Sequence, residues 1–193
     1  MRTSPKPAGW PDRRSKPSAM TPKRSGVAAW TLFYLAGEAA MAAAALDRAL
    51  ALNPNAAHAW MTRGAIHAFR NQPGAAIEAV ERARRLSPSD PYSFFYAASI
   101  VAAHFAARRF EQAIEWAERA LHDQPRLVTQ MRVKVATNAH LGHLDAARAE
   151  LSRMLAIDPK LTIARFREYF HFAAPEVLEL YVTGLRLAGL PEE

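Results

Sequence analysis

The chain contains no cysteine. Disulfides, thiolate metal sites, iron–sulfur clusters and cysteine nucleophiles are thereby excluded, and a reducing compartment, the cytoplasm, is the expected location. Glycine is scarce, 8 in 193 residues, and none of it forms a phosphate-cradling loop. HExxH and GxSxG patterns are absent as well. No cofactor, metal or catalytic residue is therefore expected, and the chain reads as a non-enzyme. Long apolar runs are missing too. The uninterrupted stretch from Gly26 to Gly37 is shorter than the roughly 20 residues a membrane-spanning helix needs. Lys23 and Arg24 ahead of it resemble the start of a secretory signal, but Glu38 interrupts the pattern. No membrane span is expected.

Charge is abundant but unevenly placed. The formal net charge is +7. Of the 25 basic residues, seven fall within residues 1–26 (Arg2, Lys6, Arg13, Arg14, Lys16, Lys23 and Arg24), against one acid, Asp12; beyond residue 26 there are 18 basic and 17 acidic residues. A nearly neutral body presents no large phosphate-binding field, so a nucleic-acid partner is not expected. The first 26 residues also carry Pro5, Pro7, Pro11, Pro17 and Pro22 without apolar periodicity, and read as a disordered basic leader.

What the sequence has is alanine-rich helical periodicity. Half of the residues are hydrophobic but only 9% are aromatic, as suits helices that approach closely. Proline closes successive segments at Pro54, Pro88, Pro125 and Pro159, spaced by 34, 37 and 34 residues. Within the second segment Trp60, Gly64, Ala76, Val80, Ala83 and Pro88 form a pattern, and Ala113, Ala117, Ala120 and Pro125 repeat its second half downstream. Small residues let two antiparallel helices touch, larger ones fill the gaps, and proline separates the pairs.

This period and these positions resemble the tetratricopeptide repeat. The resemblance implies an all-α, right-handed α-solenoid of about four helix pairs. The repeats are expected at 27–54, 56–88, 91–125 and 127–159, followed by C-terminal capping helices in 160–193 that seal the end of the array. Gly37 and Gly142 mark the turns inside the first and fourth pairs, and Asn71 and Arg108 take that place in the other two. Ser89-Asp90-Pro91 signals the start of the third pair. The runs AIEWAERAL from Ala113, LDAARAEL from Leu144, LAIDPKLTIARFR from Leu155 and PEVLELYVTGLRLAGLPEE from Pro175 are similar to the C-terminal repeat regions of bacterial class III adenylate cyclases and winged-helix regulators. That likeness implies an alternative, a regulatory end detached from an upstream catalytic or DNA-binding domain.

The expected function is protein–protein interaction or scaffolding, with a protein or peptide partner or self-association. In this repeat family the first helix of each pair lines the concave groove, which nominates His58, Met61, Tyr92, Phe95, Ser99, Thr129 and Arg132 as partner-binding residues. Met61 and Phe95 suit the core between repeats equally well. The lining is apolar with little charge and fits an apolar helix or extended peptide. Seven histidines invite a metal test. His140 and His143 have the tightest spacing, but with only Asp145 nearby they read as exposed turn residues.

Overall fold

The computed structural model describes residues 29, 31–34, 37–88 and 93–193, and of 93–96 the backbone alone. The leader and the Ser89-Asp90-Pro91 start signal lie outside the described residues. The chain is an α-solenoid of antiparallel helix pairs. Helix α1, described at residues 29 and 31–34, pairs with α2 (Ala39–Leu52); α3 (Ala57–Phe69) pairs with α4 (Pro73–Leu86), α5 (Ser93–Ala106) with α6 (Phe110–Asp123), and α7 (Val128–His140) with α8 (Leu144–Ile157). Two further helices follow, α9 (Ile163–Tyr169) and α10 (Pro175–Leu187).

The turns inside the pairs explain the local chemistry. Gly37, Asn71, Arg108 and Gly142 all adopt positive φ, at 68°, 56°, 56° and 80°. In three of the pairs the next amide reaches back across the left-handed residue: Gln72 N donates to His67 O, Arg109 N to His104 O and His143 N to Asn138 O, each at 2.9 Å. In each of these pairs a last-turn carbonyl that would otherwise be orphaned is satisfied this way. Gly189, at φ 100°, closes α10 in the same manner through Leu190 N and Leu185 O. Pro73 and Pro175 open α4 and α10 in the first turn, where the missing N–H loses no helical bond.

Within pairs, small residues set the spacing. Ala76, Ala83, Ala113 and Ala117 have no exposed surface. A Cβ added to Gly64 would lie 2.5 Å from Val80 Cγ1 and 3.1 Å from the Ala76 carbonyl, so α3 and α4 meet at a distance only glycine permits. Between pairs, α3 packs broadly on α5 and α5 on α7, while α4 and α6 meet at their edges, where Arg84 lies 5.8 Å from the Trp116 ring centre. First helices therefore form the inner face. Trp60 braces the second pair at its edge: its indole N–H donates to Pro54 O at 2.8 Å and Arg82 stacks over its ring at 4.4 Å.

The C-terminal helices do not simply close the end of the array. Helix α10 packs against α7 rather than against the last helix, α8, bringing Val177, Leu180, Tyr181, Gly184 and Leu185 inward. A Cβ on Gly184 would fall 2.6 Å from Ala136 O and 2.7 Å from its Cα. The segment between α9 and α10 reaches farther back, where Ala174 N donates to Phe69 O at 2.7 Å and Phe172 lies 5.3 Å from the rings of both Phe33 and Phe69. The physical reason is the apolar character of the inner helix faces, which an amphipathic helix and an aromatic segment can bury. The chain end is tied down as well. Ile163 N and Ala164 N, at the start of α9, donate to Pro191 O and Glu192 O, and Arg186 grips Glu192 with two hydrogen bonds.

Candidate functional site: a pocket on the inner face

Where the array and the folded-back segment meet, a cavity of about 300 Å³ remains open on one side. Its walls come from Ala65 and Phe69 of α3, Ala98, Ser99 and Ala102 of α5, and Thr129, Gln130, Arg132 and Val133 of α7; Tyr34, Phe170 and Tyr181 complete it. The array's small side chains create the space. Ala65, Ala102 and Val133 are buried, so bulkier residues at those positions would occupy it.

Two polar side chains stand out against this apolar lining. Arg132 is partly buried and its guanidinium lies over two aromatic rings, Phe170 at 4.7 Å and Phe166 at 5.4 Å. Its Nε is shielded from water and has no hydrogen-bond partner. Loss of solvation lowers its pKa from the ordinary arginine value, with Tyr181, Tyr34 and Asp158 opposing that shift, yet arginine remains a cation in proteins. Gln130 is almost fully buried and its Oε1 also lacks a partner. Tyr181, 4.3 Å from the Phe105 ring, is buried, and desolvation pushes its pKa well above the usual phenol value; it is a neutral phenol. Among the described residues the pocket lining holds no carboxylate and no histidine.

The expected groove residues separate into distinct environments. Ser99, Thr129 and Arg132 come together at the pocket, Ser99 buried and Thr129 exposed. Met61 has no exposed surface and packs with Ala83; it belongs to the core of the second pair. His58 is half-buried on the first turn of α3, away from the pocket lining. Tyr92 and the side chain of Phe95 lie outside the described residues. Sequence reasoning missed Phe170 and Tyr181, because they enter the site through a fold-back of the C-terminal segment that repeat periodicity does not encode. Nothing in the sequence distinguishes Gln130 from an ordinary polar residue on a helix.

The histidine pair also differs from expectation. His140 is packed rather than exposed: its ring stacks on Phe110 at 5.0 Å and its Nε2–H donates to Leu180 O at 2.8 Å, a link between α7 and α10. His143 stays exposed as the N-cap of α8. Among the described residues no cluster of three histidine, aspartate or glutamate side chains could hold a metal. Nor is any described helix long and apolar enough to cross a membrane. Of the acidic residues on α6, Glu115 pairs with Arg119 at 2.5 Å, while Glu118 reaches the next pair through Lys134 at 3.1 Å.

Residues 29–91 match a model of the tetratricopeptide repeat family. No curated protein matches the sequence. Among solved structures, the chain is similar to a crystal structure of PilW, described as a widely conserved type IV pilus biogenesis factor, with a TM-score of 0.42 and 15% identity over 83% of this chain and 92% of that one. A likeness that distant transfers neither partner nor role.

Proposed function

We propose that the chain is a non-catalytic interaction module that holds another protein against the inner face of its helix pairs. The observation that supports this most strongly is the seating of the chain's own amphipathic α10 and of Phe172 on that face. A surface that buries an apolar helix in cis has the chemistry to bury one presented by a partner. A second copy of the C-terminal segment would fit the same seat by exchange, which makes self-association the alternative form of this reading. The repeat match over residues 29–91 points the same way, since helix-pair arrays create extended binding surfaces. The absence of cysteine keeps the cytoplasm as the proposed compartment.

The test is selection of helical peptides by display on the full chain, with binding mapped by amide chemical shifts. Support would be shifts concentrated on the inner-facing residues of α3, α5 and α7. Selected peptides whose shifts cluster on α4, α6 and α8, or no selectable peptides at all, would contradict it.

A further inference from the structure

The pocket wall carries a cation, Arg132. Among the described residues no carboxylate lies within ion-pair distance of Arg132, in contrast with Arg119, Arg153, Arg167 and Arg186, each paired with a glutamate. Stacking on Phe166 and Phe170 accommodates the flat faces of the guanidinium, but the N–H donors lie in its plane and rings above it do not satisfy them. Nε is buried and unpartnered, and so is Oε1 of Gln130 on the same helix. Unmatched buried polar atoms are uncommon in native folds. Both sit in the wall of a cavity that is otherwise apolar. A space of this size with apolar walls and a few convergent polar groups is the usual form of a small-molecule site.

We propose that this cavity binds a small organic acid, a single carboxylate on an apolar body, with Arg132 receiving the carboxylate and the apolar part filling the space beside Ala98, Ala102 and Val133. A bidentate arginine–carboxylate contact would supply the missing partner in the plane of the guanidinium. Gln130 adds an amide that can meet a polar atom of the ligand in either orientation. The occupant is a compact molecule rather than a length of peptide, because the chain itself walls the cavity on both sides. Phe170 and Phe172 bridge to Phe69 on one flank, and Tyr181 of α10 contacts Phe105 of α5 on the other. This site stands independently of the partner-binding role: its ligand would touch both the array and the folded-back segment, and so would hold the two together.

The test uses the full-length protein and a short series of acids, phenylacetate, 3-phenylpropionate and octanoate, each beside its neutral amide. Calorimetric titration and thermal melting are the readouts. At least one acid is expected to bind and raise the melting temperature, with its amide at least about tenfold weaker, as loss of a charge-assisted contact implies. Arg132→Met should abolish the preference for acid over amide. Ala102→Phe, which fills the cavity and leaves Arg132 in place, should remove binding of both. The proposal is overturned if no acid in the series binds, if acid and amide bind equally to the natural sequence, or if Arg132→Met keeps the preference. The acid and amide comparison needs no variant, so a misfolded variant does not decide the question.

Discussion

Replacing Gly184 by alanine probes a close approach between the C-terminal segment and the array. The methyl group would begin 2.6 Å from Ala136 O, 2.7 Å from its Cα and 2.8 Å from its Cβ. These are mainly backbone atoms of a helix packed on both sides, so they cannot swing away as a side chain would. Reaching ordinary contact near 3.4 Å requires α10 to lift from α7 by about 0.8 Å, loosening Tyr181, Leu185 and the His140–Leu180 hydrogen bond. Overpacking of this kind costs about 1–3 kcal/mol, while alanine in a helix interior regains up to about 1 kcal/mol over glycine. The net expectation is a loss of about 1–2 kcal/mol, or a melting temperature lower by about 3–6 °C for a chain of this size. Gly74 supplies the control: it lies in the first turn of α4, with nothing within 4 Å of where its Cβ would be. Gly74→Ala should therefore be neutral or stabilising. Urea and thermal unfolding of both variants decide the matter. If Gly184→Ala is as stable as the natural sequence, α10 does not dock on Ala136 as described.

Other perturbations follow from single contacts. Arg108 holds φ at 56°, a conformation costing a side-chain-bearing residue about 1–2 kcal/mol; after the entropy that glycine adds to the unfolded chain, Arg108→Gly should stabilise by about 0.5 kcal/mol in urea titration. Trp60→Phe keeps the ring but removes the hydrogen bond to Pro54 O and weakens the Arg82 contact, an expected loss of about 1 kcal/mol by thermal melting. Burial, and then the charge of Arg109, lower the pKa of His104 below its ordinary value of 6.5. The unfolded chain thus binds this proton more readily than the folded one, so the contribution of His104 is complete above pH 6.5 and is lost as pH falls below it. Stability measured at pH 5.5 should be lower than at pH 7.5, with a shallower slope in His104→Gln.

Much of the array was legible in the sequence because its determinants are local. Proline spacing, small residues at Gly64, Ala76 and Ala83, and turn residues at Gly37, Asn71, Arg108 and Gly142 each act within one helix pair, and the observed helices start and stop close to where those residues place them. Even the substitution of asparagine and arginine for glycine left the left-handed turn intact. The fold-back of residues 170–187 was not legible. It depends on matching apolar faces more than a hundred residues apart in sequence, Phe69 with Phe172 and Phe33 with Phe172, and nothing in a 34-residue period encodes such a pairing. The candidate site shows the same division. Arg132, Ser99 and Thr129 follow from helical spacing on first helices, whereas Met61 at equivalent spacing turns into the core. That difference depends on how each helix is rotated against its pair, which the spacing alone leaves open.

The fold-back is tested most directly by hydrogen exchange at one amide, Ala174. Its N–H donates to the Phe69 carbonyl at 2.7 Å, a backbone hydrogen bond that ties the segment between α9 and α10 to the second helix pair. In the full chain this amide should exchange orders of magnitude more slowly than an open loop amide, within reach of the protection of core residues such as Val135 in α7. Exchange of Ala174 at the open-chain rate, while Val135 remains protected, would show that the C-terminal segment does not lie in the inner face and that the pocket bounded by Arg132, Phe170 and Tyr181 does not form.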